Sequence, residues 1–387
     1  MKCWFWFSFV IFVTADEILH LPGLDYELNF KQYSGYLDAS STRKLHYWFV
    51  ESQNDPITDP LFFWFNGGPG CSSLNGLLQE LGPFLINADG KTLHKNEYSW
   101  NKNASVVFLE FPAGVGFSYS TDGKLTTNDD LAAIQNYEAL KQFYIKFPQF
   151  RHNDLFITGE SYAGVYIPTL AVQIIDGQKD FEINLKGIAI GNGWVSRQLS
   201  YETRFLYLYF HGLIDEEKWE NTIDCCNGKI DGCNLKSYEL HGGFVEFDAY
   251  DLHSKCSRNM PQFDEMVKNA KLHRYMKKSW LNRENQHKSS KVNDDFNQEC
   301  VPETSLQHYL NTPEVRNSLH IPPSVNIWEM CNNDVSYYYH SPRDSEQSEN
   351  IRKIVGNNIR TLLYYGDVDS VCNFVMGQKF SNQLGLK

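Results

Sequence analysis

Positive charge is scarce in this sequence: 35 Lys and Arg face 47 Asp and Glu among 387 residues, a formal net charge of −12. That balance argues against a surface built for nucleic acid, whose affinity rests on excess Lys and Arg neutralising phosphates. Long apolar runs are also lacking. The N-terminal run, Cys3 to Thr14, has 12 residues, whereas a bilayer span needs about 20. Paired Cys-x-x-Cys knuckles are absent, and Cys225-Cys226 has no His at finger spacing, which argues against structural zinc. There is no internal repeat and no low-complexity segment. What is present suits a folded protein: 42% apolar and 21% charged residues, with 26 Phe, 22 Tyr and 9 Trp to build a large core and aromatic-walled clefts.

The first residues indicate the compartment. Met1-Lys2 is a positive start, the apolar run follows, and Val13-Thr14-Ala15 has the small-residue pattern of a cleavage site. Residues 1–15 are therefore expected to be a removed signal peptide, with the mature chain in an oxidising compartment. Eight cysteines remain after Cys3 leaves. An even set in a secreted chain suggests disulfides, whose pairing sequence alone leaves open.

Apolar runs alternate with helical spacing. Leu61-Phe62-Phe63-Trp64-Phe65 ends in Asn66-Gly67-Gly68-Pro69-Gly70 and reads as a strand buried on both faces. Ser34–Leu37, Leu45–Val50, Val106–Leu109, Leu155–Thr158, Gly187–Gly191 and Thr361–Tyr365 read as further strands. Leu131 to Phe147 reads as a helix, with Leu131, Ile134, Tyr137, Leu140, Phe143 and Tyr144 on its apolar face. The predicted class is α/β with a largely parallel sheet. Residues 196–300 break the rhythm: they are polar and hold five of the eight mature cysteines. They read as a disulfide-stapled cap inserted between a first core part, 16–195, and a second, 301–387.

Gly159-Glu160-Ser161-Tyr162-Ala163-Gly164 follows one of these strands and precedes an apolar, helical segment. A tight strand-to-helix turn of this kind lifts a serine hydroxyl out of the sheet, and small neighbours let it close. The motif alone is as compatible with a plain turn serine as with a nucleophile. The glycine loop at 66–70 can aim a backbone N–H at an oxyanion, with the Tyr162 N–H as partner donor. Phosphate cradling is the competing use, but the following Lys and Ser/Thr of a P-loop are missing. Gly366-Asp367-Val368-Asp369 follows the last strand, where a triad acid sits in the order Ser, Asp, His. A solvated Asp-rich turn is the alternative.

These strings, together with Gln32–Leu37, Trp64 to Phe84, Pro112–Ser120, Gly159 to Ala171 and Gly191-Asn192-Gly193, resemble the serine carboxypeptidases, and within them the lysosomal members. The resemblance covers nearly all of residues 16–387. It implies an α/β-hydrolase fold that uses no metal or cofactor. Ser161 would be the nucleophile, Asp369 the triad acid, and Gly68 with Tyr162 the oxyanion donors. Trp64, Asn66, Gly67 and Glu160 would grip the free C-terminal carboxylate of a peptide. Glu80 would pair with Glu160 and share a proton, because two close carboxyls do not both ionise cheaply; without the resemblance, Glu80 reads as a solvated helix charge. Disulfides Cys71–Cys331, Cys256–Cys300 and Cys226–Cys233 are implied, with Cys372 a buried free thiol and the pairing of Cys225 open. The lysosome or secretion, association with other lysosomal enzymes and a homodimer are implied as well.

The sequence departs from the family at its base. The last histidine is His340, before Asp369, and only 18 residues follow that Asp. We therefore expect a C-terminally incomplete chain lacking the last core strand and helix, with little activity of its own. The alternatives are an inactive, protective binding partner of other enzymes, and an acyltransferase on the same scaffold. Phe111 stands where the family usually has Ser. Asn103-Ala104-Ser105 is a glycosylation sequon at the start of an expected buried strand. Eight Lys and Arg between Lys268 and Lys291 suggest an excisable loop, an uncleaved solvated loop being the competitor. Excision predicts two chains on a reducing gel of the mature protein; one band refutes it.

Overall fold

A computed structural model describes residues 17–225, 248–253, 303–340 and 346–386. The signal peptide, the pairs Cys226–Cys233 and Cys256–Cys300, the Cys225 side chain and the basic loop lie outside the described residues. Eight strands form the main sheet: β1 (Gln32–Asp38), β2 (Arg43–Val50), β3 (Leu61–Phe65), β4 (Ser105–Leu109), β5 (Tyr119–Ser120), β6 (Leu155–Ser161), β7 (Leu185–Gly193) and β8 (Arg360–Tyr364). The order is β1-β2-β4-β3-β6-β7-β8, with β5 against β2. Strands β4, β3, β6, β7 and β8 run parallel, while β1, β2 and β5 pair antiparallel. This is the α/β-hydrolase arrangement.

The uninterrupted apolar runs follow from burial of both sheet faces. Tyr47, Phe49, Phe63, Phe65, Val107 and Leu109 join one core. Their neighbours Trp48, Val50, Trp64, Val106 and Phe108 join the other, because successive strand residues point to opposite faces. Helices α1 (Asp129–Lys146), α2 (Ala163–Gly177), α3 (Arg197–Phe210), α4 (Ser348–Gly356) and α5 (Phe374–Gln383) complete the part that positions the site. None of the described helices is long and apolar enough to cross a membrane.

Helix α1 corrects the sequence reading. The Asn128 side chain caps it by accepting from the Leu131 N–H, and Asp129 and Asp130 lie in the first turn, favourably placed for the helix dipole. Leu131 and Ile134, expected on the core face, are exposed at 44% and 47%. Ala132, Ala133, Asn136 and Ala139 are buried with Tyr137, Leu140, Phe143 and Tyr144. Small residues let the helix approach α2 and β1 closely, so packing distance overrode the size of the side chains.

The expected Cys71–Cys331 disulfide is present, tying the glycine loop to a segment 260 residues away. Beside it lies a polar staple that the sequence reading missed. Glu110 accepts from His46 Nδ1 at 2.8 Å, Trp328 Nε1 at 2.8 Å, the Phe117 N–H at 2.8 Å and the Ser72 hydroxyl. The other ring nitrogen of His46 meets the Ser34 hydroxyl at 2.8 Å. Ser34, His46 and Glu110 thus line up like a hydrolytic triad, yet all three are wholly shielded from solvent. Their work is structural. They join β1, β2, the end of β4, the glycine loop and the Trp328 segment, with every buried donor matched to an acceptor. Truncating Glu110 strands three or four of those donors. Glu110→Ala is therefore expected to cost about 3–5 kcal/mol in urea unfolding, the range for breaking a buried ionic network.

Candidate active site

Ser161 ends β6 and turns directly into α2. Its φ of 58° lies in the left-handed region, a strained backbone for serine that a nucleophile turn exploits. The turn closes because its neighbours are small. A side chain on Gly159 would collide with the Phe65 carbonyl, and one on Gly164 would lie 2.7 Å from Trp194 N. Ala163 is fully buried, so the alanine in place of the usual second glycine fits. Beneath the turn, the Tyr162 hydroxyl donates to Asp129 Oδ1 at 2.9 Å, an acceptor shared with Tyr339 at 2.9 Å.

The glycine loop lies against this turn. A Cβ on Gly67 would collide with Tyr162 N and stand 2.8 Å from Ser161 Cβ. Gly68, at φ 113°, turns the chain away, and among the described residues nothing accepts its N–H. Asn66 is the hub alongside. Its Oδ1 accepts from Trp64 Nε1 at 2.8 Å and from the Gly76 N–H at 3.1 Å. That orients the amide, so Nδ2 donates to Glu160 Oε1 at 2.8 Å and to Glu80 Oε1 at 3.2 Å. Glu80 ends the helical turn Gly76–Glu80 and also accepts from Asn75 Nδ2 at 2.6 Å. Glu80 thus shares its Asn66 donor with Glu160 and is half-buried rather than freely solvated. Trp64 acts on the site through Asn66.

Asp369 is buried. Its oxygens accept from the Val371 N–H at 2.7 Å, the Cys372 N–H at 3.3 Å and Asn192 Nδ2 at 2.9 Å. Burial raises its pKa to about 6; these hydrogen bonds and the Arg204 charge oppose the rise. Asn192 is a second missed residue. Its own φ is 40°, and its Oδ1 accepts from the Gly366 N–H at 3.0 Å, so one side chain spans from β7 to the acid loop. An Asn between two glycines after a strand was the available signal. Cys372 is a buried free thiol, as expected, held protonated by burial and then by the charges of Asp369 and Glu160; it contacts the Ser161 hydroxyl. Phe111 is buried edge-on to Tyr166. Asn103 is exposed, while the sequon hydroxyl of Ser105 is buried and accepts from the Ser52 N–H at 3.0 Å.

Among the described residues no histidine is hydrogen-bonded to Asp369 or Ser161, and no group of three or more His, Cys, Asp or Glu is placed to hold a metal. The raised pKa of Asp369 has a definite consequence. From an ordinary 3.8 to about 6, the folded state holds a proton that the unfolded state releases, so this group's contribution to stability falls as pH rises through that window. Asp369→Asn removes the titration. The unfolding midpoint of the variant, measured against wild type, is expected to gain steadily as pH rises across the window, and a constant difference contradicts the burial argument.

A family profile described as serine carboxypeptidase matches residues 22–387. The lysosomal protective protein of Mus musculus is 41% identical over 388 residues, covering 96% of this chain and 81% of that protein. Serine carboxypeptidase ctsa-4.1 of Caenorhabditis elegans is 40% identical, covering 98% and 82%. Among solved structures, Kex1(delta)p, a prohormone-processing carboxypeptidase from Saccharomyces cerevisiae, superposes with a TM-score of 0.74 at 24% identity, covering 95% of this chain and 81% of that one, which supports the fold. Matched by the family profile over nearly its whole length and by relatives at 40% identity or more, the chain belongs to the serine carboxypeptidase family of hydrolases.

Proposed function

We propose that this site releases C-terminal residues from peptides at acidic pH through an acyl-enzyme. The observation that carries the reading is Asn66, whose single amide nitrogen engages both Glu160 and Glu80 beside the serine turn. Two carboxyls held by one amide nitrogen share a proton most readily at low pH. The shared proton and the Gly67 N–H then offer donors to a peptide's terminal carboxylate, beside the Asn66 amide that holds the two glutamates. The scissile carbonyl comes to rest over Ser161. Attack by the Ser161 oxygen transfers the hydroxyl proton to a base and forms an oxyanion, which the Gly68 and Tyr162 N–H groups stabilise. The C–N bond then breaks, the protonated amine leaves, and water hydrolyses the ester. Asp369 orients the base.

The base is a histidine in this chemistry, and none follows Asp369 in these 387 residues. Without it Ser161 is a weak nucleophile, and turnover drops by several orders of magnitude. For the chain as given we propose terminal-carboxylate binding with little or no hydrolysis. A lysosomal or secreted location follows the resemblance to cathepsin A, the protective protein, as do a homodimer and association with other lysosomal enzymes. An inactive, protective binding partner and an acyltransferase on the same scaffold are the second readings.

Binding of an N-acylated dipeptide and of its C-terminal amide separates these ideas. The acid is expected to bind more tightly than the amide at about pH 5, losing the advantage towards pH 7 as the pair ionises. Glu80→Gln, which cannot share a proton, is expected to flatten that pH dependence. Equal binding of acid and amide contradicts the proposal.

A further inference from the structure

The sheet register brings one unassigned side chain to the glutamate pair. Glu160 on β6 pairs with Gly191 on β7, and Gly191 pairs with Tyr364 on β8. Aligned residues of parallel strands point to the same face, so Glu160 and Tyr364 flank a position that has no side chain. The Tyr364 ring uses that gap. A Cβ built on Gly191 would stand 2.5 Å from Tyr364 Cζ and 2.6 Å from its hydroxyl oxygen. The ring therefore lies across β7 with its hydroxyl end towards Glu160, one strand away.

We propose that Tyr364 is a positioning residue for the glutamate pair, its ring covering the β8 side of Glu160 and keeping water from that carboxyl. This rests on the carboxylate-binding reading of Glu160 and Glu80. Three observations agree with it. Tyr364 is 37% exposed although its strand neighbour Leu363 packs on the core, so its ring lies over the site side of the sheet rather than in the interior. Burial, and then the negative charges of Glu160 and Glu80, push its phenol up to about 12, so it meets the pair as a neutral group. Other titratable groups meet the site from other elements: Glu80 from the Gly76–Glu80 turn, Tyr250 from the 248–253 stretch, and Cys372 from the acid loop, where the charge of Arg204 of α3 acts on Cys372 and Asp369. Tyr364 approaches from β8.

A carboxyl shielded from water holds its proton to higher pH. Removing the ring exposes Glu160 and lowers the pH at which the pair lets its proton go. The test uses the full chain and the acid and amide peptides already named, titrated between about pH 4 and about pH 7. Tyr364→Phe keeps the ring and is expected to retain the wild-type pH midpoint for acid binding. Tyr364→Ala is expected to shift that midpoint down by about one pH unit, leaving amide binding unchanged. Gly191→Ala, whose methyl displaces the ring, is expected to shift it the same way and serves if Tyr364→Ala folds poorly. A wild type that prefers the acid, with Tyr364→Ala and Gly191→Ala variants that keep the wild-type midpoint, overturns the inference and spares the functional reading. A wild type that binds both peptides equally overturns both.

Discussion

The approach of Gly67 to the Ser161–Tyr162 peptide is the constraint on which the rest of the site depends. No side chain fits at 67, because its Cβ would fall on Tyr162 N. Two turns from separate strands, β3 and β6, are thereby pressed together at the same level of the sheet, Phe65 pairing with Gly159. The Gly67 backbone is thereby held against Ser161 and Tyr162. Everything else secures that contact: the disulfide at Cys71 holds the far end of the loop, Glu110 holds Ser72 behind it, and Asp129 holds the Tyr162 ring below.

Among the described buried and half-buried acidic groups, four sites differ in their partners, and those partners separate their roles. Glu110 is saturated with donors and sealed, so it staples. Asp129 accepts two phenol protons and anchors the turn at Ser161 and Tyr162. Asp369 is well hydrogen-bonded, yet burial outweighs those bonds and leaves its pKa raised. The Glu160–Glu80 pair has a shared amide as its link and a half-exposed ring at its edge. Saturation suits structure, and incomplete saturation suits chemistry, because a group with capacity left can bind something new.

Much of this was legible in the sequence, for stated reasons. Two-sided burial writes itself as continuous apolar runs, so β3, β4 and β6 were readable. Backbone requirements write themselves as glycine, so the loop at 66–70 and the turn at Ser161 were readable too. Side chains that act at a distance in sequence left weaker marks. Glu110 meets Trp328 and Ser72 across 218 and 38 residues, and Asn192 meets Asp369 across 177. Leu131 and Ile134 misled because helical spacing identifies an apolar stripe, while packing distance decides which stripe faces inward.

By itself, the sequence determined the class of fold and the order of the segments that carry the glycine loop, Ser161 and Asp369, since each is a matter of residue type and position along the chain. Only the tertiary structure decided that one asparagine amide faces two glutamates, that a serine, a histidine and a glutamate in triad order form an inert staple, and that Tyr364 lies over Gly191. Those are relations between strands, and strand register is settled by how a whole sheet packs rather than by any one segment of it.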